Sequence, residues 1–227
     1  MRIDIITLFP EFFDGFKEHS IIGRAIKNGK LELVTHNLRD QSVDNYGSVD
    51  DHPYGGGPGM VLRVDIVVPA INEAKQLNPD APVIMMTPQG TPYNQQLART
   101  LSNKSGIILI CGHYEGFDER IRDYVDMEIS IGDYVLTGGE LAAMVITDSV
   151  VRLLPGVLGD DTSSHDESHA DGLLEYPHYT RPLEYGGKKV PEILTGGNHA
   201  KIDEWRKSMA IERTKMRRPE MISDKNT

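Results

Sequence analysis

Across 227 residues there is one cysteine, Cys111. An internal disulfide is therefore excluded, and a reducing compartment is the default expectation. Apolar runs are short, none approaching the about 20 residues that a membrane-spanning helix requires. The start, Met1-Arg2-Ile3-Asp4, has neither the basic nor the apolar region of a signal peptide, so cytoplasmic residence with no membrane partner is expected. Cations are scarce. Twenty-four Lys and Arg stand against 34 Asp and Glu, a net charge of −10. That balance argues against indiscriminate nucleic-acid binding but leaves room for a local basic surface. Neither G-x-G-x-x-G nor G-x-x-x-x-G-K-[ST] occurs, so neither standard nucleotide cradle is present.

What the chain does have is a set of apolar, strand-like runs ending in glycine. Pro82–Met86 leads into Thr87-Pro88-Gln89-Gly90, and Ile107–Cys111 into Gly112-His113-Tyr114-Glu115-Gly116. Asp126–Ser130 leads into Ile131-Gly132-Asp133-Tyr134-Val135-Leu136-Thr137-Gly138-Gly139. Further strands are expected over Arg2–Leu8 and Leu31–Leu38. Helices are expected from Pro10 to Ile26, from Asp65 to Gln76, over Gln95–Leu101, over Asp118–Tyr124 and over Glu140–Leu154. This alternation implies an α/β fold with a parallel sheet. Its loops would gather at one edge, where such sheets bind ligands. A polar, acidic, turn-rich stretch follows Pro155, and a last helix is expected over Ala200–Arg218 with Ile202, Trp205, Met209 and Met216 on one stripe.

Several segments carry chemistry, each with a plainer alternative. Arg39–Gly59 has no helical or strand period, and a loop of that length is uncommon unless functional. Its Pro53-Tyr54-Gly55-Gly56-Gly57-Pro58-Gly59 core lets backbone approach a ligand closely, or forms a mobile tip. Gly138-Gly139 ahead of a helix suits an anion, or simply a tight turn. Arg152 closes an apolar helix, either as a cation at its negative end or as a fixed charge for an anionic transition state. The apolar helix itself reads as core or as a subunit interface. His165 and His169, four apart beside Asp166 and Glu167, have a spacing that binds zinc on a helix, but the setting is loop-like. The final helix region carries Lys201, Arg206, Lys207, Arg213, Lys215, Arg217 and Arg218 against Asp203, Glu204, Glu212 and Glu220. That local excess of cations in an acidic protein suits phosphate contact as well as a solvated face.

Taken together these segments resemble one family, the bacterial tRNA (guanine-N1)-methyltransferases (TrmD), of the trefoil-knot class. The likeness runs from Ile5-Ile6-Thr7-Leu8-Phe9-Pro10 through Tyr54–Met60, Pro88-Gln89-Gly90, Cys111–Gly116 and Ser130–Glu140. It continues through Pro155-Gly156-Val157-Leu158-Gly159, Ala170–Leu174, Pro177–Pro182 and Arg217-Arg218-Pro219-Glu220, covering nearly the whole chain.

The resemblance implies a knotted α/β domain over residues 1–159, a flexible linker over 160–176 and a small helical tRNA-binding domain over 177–227. It implies an obligate homodimer, S-adenosylmethionine as methyl donor, and methylation of N1 of the guanosine just 3′ of the anticodon. By position, the donor would be held by Met86, Thr87, Pro88 and Gly90, and by Gly112, Tyr114, Glu115 and Gly116. The third loop would add Ile131, Gly132, Asp133, Tyr134, Val135, Leu136, Gly138 and Gly139. The family's catalytic arginine falls on Arg152. Its catalytic aspartate falls on Glu167, a departure that makes neighbouring Asp166 the fallback. Contacts to the tRNA anticodon stem-loop are expected from Asp50, Pro58, Gly59, Ser168, His178, Arg181, Arg206, Arg213 and Arg217. Magnesium is a candidate cofactor with Glu115 as participant, although no metal-ligand cluster is evident. His113 stands where many relatives have arginine. The competing readings are a related knotted methyltransferase acting on another RNA base, a non-catalytic RNA- or metal-binding module, and a small-ligand α/β enzyme unconnected to RNA.

Overall fold

The computed structural model describes residues 1–159, 167–169 and 172–223. The chain divides into two compact units, Met1–Asp161 and Thr162–Thr227. In the first unit β1 (Arg2–Thr7) is followed by α1 (Asp14–Glu18), α2 (Ser20–Lys27) and β2 (Glu32–Asn37). A two-stranded antiparallel ribbon, β3 (Asp50–Asp51) and β4 (Val61–Leu62), precedes α3 (Val64–Leu77). Then come β5 (Val83–Pro92), α4 (Gln95–Ser102), β6 (Gly106–Cys111), β7 (Met127–Ser130) and α5 (Glu140–Val151). The second unit holds β8 (Glu184–Tyr185), β9 (Lys188–Lys189), α6 (His199–Arg217) and α7 (Glu220–Ser223).

Five strands form one parallel sheet in the order β2-β1-β6-β5-β7. Strand β6 is buried at every position, as a strand covered on both faces must be. Alternation sorts the side chains into two cores. Ile3, Ile5, Ile84, Met86, Ile107 and Leu109 pack with α2, α4 and α5. Ile6, Val83, Met85, Ile108 and Ile110 pack with Ile66, Val67, Ala70 and Ile71 of α3. Among the described residues no helix is long and apolar enough to cross a membrane.

Local chemistry accounts for where the elements differ from expectation. The expected single helix after Pro10 is three pieces, a 3-10 turn over Pro10–Phe13 followed by α1 and α2. His19 is extended and Ser20 has φ 56°, which breaks the helical path. Asp118–Tyr124 is a 3-10 turn over Glu119–Tyr124, capped by the Asp118 side chain accepting from the Arg120 N–H at 3.0 Å. In α6, Ile202 is buried but Met216 is exposed; Thr214 takes the inner place, accepting from the Leu174 N–H at 2.8 Å and donating to the Ala210 carbonyl. The Arg39–Gly59 stretch is less irregular than its composition suggests. It contains a 3-10 turn, strand β3, and a turn in which the Asp44 carboxylate accepts from the backbone of Tyr46 and Ser48. Hydrogen bonds from Ser48, above all, hold that carboxyl down at about 2.

A carboxylate lies inside the fold near the start of β1. Asp4 is fully buried on β1, where Arg2 meets it with two nitrogens at 2.8 and 2.9 Å. His36 of β2 lies at 2.8 Å, and Asn78 after α3 donates at 3.0 Å. Burial pushes the Asp4 carboxyl up. The hydrogen bonds from His36, Arg2 and Asn78 outweigh that push and hold it below its ordinary value. The sign follows from linkage: the stabilisation is complete above the ordinary carboxylate range and is lost as pH falls through the depressed value. Asp4→Ala removes the shared partner of Arg2, His36 and Asn78, leaving Arg2 only its Glu32 contact among the described residues, and is expected to cost about 3 kcal/mol at neutral pH. Denaturant unfolding should show this loss, with the gap from the parent chain narrowing in acid.

Candidate active site

The carboxyl ends of β5, β6 and β7 release their loops into a common cleft of about 250 Å³. Strand β5 pairs with β6 only as far as Met86↔Cys111, and its register against β7 shifts between Met86 and Thr91. Residues 87–90 bulge out of the sheet as a result. Beyond β7, at the sheet edge, residues 131–139 lead back to α5, which packs against β6 and β1. This return passes tightly over the end of β6. The Gly139 N–H donates to the Gly112 carbonyl at 2.9 Å, and a Cβ on Gly139 would lie 2.7 Å from Cys111 Cα. Only glycine permits this approach. Gly90 is similar, with a Cβ there falling 2.5 Å from the Glu128 and Ile129 backbone.

Of the anticipated donor-binding residues, Met86, Thr87, Pro88, Gly112, Tyr114, Glu115 and Gly116 line the cleft. So do Ile131, Gly132, Tyr134, Val135, Leu136, Gly138 and Gly139. Gly90 and Asp133 are not in the lining. Gly90 packs beneath it against β7. The lining also includes Gln89, His113 and Thr137, which the sequence placed in the three loops without a binding role, and Phe117, Glu119 and Arg122, which it did not single out. His113 could have been found from its place between two lining glycines. Arg122 gave no signal, because the partner that brings it to the cleft loop, Gln89, lies 33 residues away.

The glycine hairpin lies alongside. The Glu115 N–H donates to Met60 O at 3.0 Å and the Leu62 N–H to Gly116 O at 2.9 Å. These bonds seat the tip carrying Pro58 and Gly59 next to the second loop. Burial, followed by the charge of nearby Asp50 on β3, raises the Tyr114 phenol above its ordinary value, with Arg39 opposing. Tyr114 itself holds φ 57°.

Beneath the cleft, the buried Glu140 accepts from Thr7 Oγ1 at 2.8 Å, tying the first turn of α5 to the end of β1. Burial, then the Glu140 charge, pushes the Cys111 thiol well up, so it is an inert core group. His113 sits edge-on to Phe9 and Tyr114, and its Nδ1 is buried with no hydrogen-bond partner among the described residues. Arg152 caps α5, its N–H donating to Asp148 O at 3.1 Å.

In the second unit the anticipated residues share local tasks. The Ser168 hydroxyl accepts from the Glu175 N–H at 3.0 Å, and His178 meets the Glu175 carboxylate at 2.7 Å. Arg213 donates to Glu175 O at 3.3 Å, and Arg206 lies 4.9 Å over the Tyr176 ring. Arg181 and Arg217 are exposed, and Glu167 is half-buried. Asp166 and His165 lie outside the described residues. Among the described residues no group of three His, Cys, Asp or Glu side chains could hold a metal ion.

A family model for the tRNA (Guanine-1)-methyltransferase TrmD matches residues 1–224. The chain belongs to the TrmD family. Among its relatives, the tRNA (guanine-N(1)-)-methyltransferase of Citrifermentans bemidjiense is 53% identical over 223 residues, covering 98% of this chain and 90% of the relative. Those of Dehalococcoides mccartyi and Staphylococcus aureus are each 53% identical, over 224 and 223 residues, covering 98% of this chain and 90% and 91% of the relatives.

The cleft of this TrmD-family chain suits a nucleoside with an amino-acid arm. It is lined by five glycines, by the apolar side chains of Ile131, Val135 and Leu136, and by His113, whose Nδ1 has no partner among the described residues. Gly139→Ala is expected to destabilise the fold by about 1–3 kcal/mol, because backbone must move to admit the methyl group. Gly15→Ala, in α1 with open space around it, should be neutral or stabilising by up to about 1 kcal/mol. Thermal unfolding of the two variants would separate them.

Proposed function

We propose that this chain is an S-adenosylmethionine-dependent methyltransferase acting on tRNA. It methylates N1 of the guanosine immediately 3′ of the anticodon, position 37. The observation that carries this is a family match over residues 1–224 in a chain whose glycine loops converge on one cleft at the carboxyl edge of a parallel sheet.

Guanine N1 carries a proton and is a poor nucleophile until that proton is removed. Glu167 is the base. Its carboxylate takes the place of the family's aspartate, with a stem longer by one methylene. Arg152 supplies a fixed guanidinium for the negative charge that develops toward O6. Bound S-adenosylmethionine provides an electrophilic methyl group and departs as a neutral thioether. The main-chain groups of the three loops hold the donor. Glu115 is the cleft carboxylate available to a magnesium ion, and no step above depends on one.

The working unit is a homodimer. Val135 is 82% exposed, and Leu141 and Val145 of α5 are 48% and 46% exposed, an apolar stripe beside the cleft that a second copy would cover. Residues 1–159 form the trefoil-knot donor-binding domain, a reading supported by the return of residues 131–139 from edge strand β7 to the end of β6. Residues 160–176 act as the interdomain linker. Residues 177–227 grip the anticodon stem-loop, with Arg181 and Arg217 presenting charge to phosphate. Affinity for tRNA should accordingly fall as salt rises. A cytoplasmic location follows from the substrate.

Labelled S-adenosylmethionine should transfer methyl to a tRNA with guanosine at position 37 and not to the same tRNA with adenosine there. Label on both would move the target base. Glu167→Gln should lower turnover by about 10²-fold or more while donor binding, read by calorimetry, stays intact. An active Glu167→Gln beside an inactive Asp166→Asn would transfer the role to Asp166.

A further inference from the structure

One arginine in the cleft wall has no part in the chemistry above, yet each of its three nitrogens is engaged by a different segment. Arg122 Nε donates to Glu119 Oε2 at 2.9 Å, within its own 3-10 turn. Nη1 donates to the Glu128 carboxylate on β7. Nη2 donates to Gln89 Oε1 at 2.8 Å, on the loop that bulges from β5. Arg122 thus joins the first donor loop to the edge strand at the place where the β5–β7 register breaks.

The bond to Gln89 has a chemical consequence. A guanidinium only donates, so the Gln89 carbonyl must face Arg122. The Gln89 amide NH₂ is then turned the other way, and Gln89 borders the cleft. Unrestrained, an exposed glutamine would sample both amide orientations and many rotamers, and fixing it in advance removes that cost from binding. Arg120, two residues away, differs. It is 68% exposed in its side chain and, among the described residues, pairs with Asp118, the cap residue of the same turn.

We propose that Arg122 is a positioning residue for the methyl donor, acting through Gln89. It holds the 87–90 loop in its binding shape and presents the Gln89 amide as a hydrogen-bond donor to bound S-adenosylmethionine. The proposal rests on the methyltransferase reading. It goes beyond that reading by assigning donor affinity to a side chain outside the three glycine loops.

The test uses the whole 227-residue chain and five variants. Arg122→Gln should raise KM for S-adenosylmethionine by about tenfold, the usual worth of a charge-assisted hydrogen bond, with kcat at saturating donor within about twofold. Gln89→Leu, at an exposed position that leaves the fold intact, should reproduce that rise. The double variant should be no worse than Arg122→Gln alone, since both remove one coupled unit. Arg122→Lys should recover part of the affinity, and Arg120→Gln should match the parent. The assignment is overturned if Gln89→Leu keeps the parental KM, if the two effects multiply, or if Arg122→Gln lowers kcat and leaves KM alone. Calorimetric titration of each variant with S-adenosylmethionine alone reads the same ranking without an RNA acceptor. A failure of the proposed tRNA activity would therefore be distinguishable from a failure of the clamp.

Discussion

Everything at this site depends on one close approach, the passage of Gly139 over the end of β6. The N–H of Gly139 reaches the Gly112 carbonyl at 2.9 Å, and the Cys111 Cα lies where a side chain on residue 139 would begin. This contact stacks the third loop directly on the second. It also fixes where α5 starts, and hence where Glu140 meets Thr7. A wider separation would open the cleft and detach the apolar helix from β1 and β6. Interiors packed to crystal density transmit such shifts rather than absorb them.

The first unit is organised around two unlike interiors. Above and below the sheet the packing is apolar, with isoleucine dominating β1 and β6. At the opposite end of β1 from the cleft, a carboxylate is buried among Arg2, His36 and Asn78. That cluster links β1, β2 and the end of α3, three elements whose order the rest of the sheet inherits. It holds the base of the sheet, and the glycine contacts shape the other edge.

Much of this was legible in the chain. Continuous apolar runs leading into glycine loops marked β5 and β6, because a strand covered on both faces admits no polar alternation, whereas the edge strand β7 alternates polar and apolar residues and was marked by its glycine loop. The loops they announced are the ones that line the cleft. Residues without a sequence signal were those defined by distant partners. Arg122 is one arginine in Asp-Glu-Arg-Ile-Arg-Asp, and nothing nearby in sequence distinguishes it from Arg120. Thr214 replaced Met216 on the inner side of α6 because a hydroxyl there caps Leu174, a pairing 40 residues apart that periodicity does not report. The break at His19 was equally hidden. Pro10 and the apolar spacing promised one helix, and the left-handed Ser20 divided it.

The cleft's walls are to an unusual degree main chain. Gly112, Gly132 and Gly139 each face atoms, from Phe117, Tyr134 and Cys111 respectively, within 2.8 Å of where a Cβ would stand. A molecule seated there would grip groups that every amino acid possesses, at positions where few alternatives fit. Genetic escape from such a molecule has little room at the point of contact. It would have to come from the periphery, through side chains such as Gln89 or through loops whose shape can drift while their backbone polar groups remain.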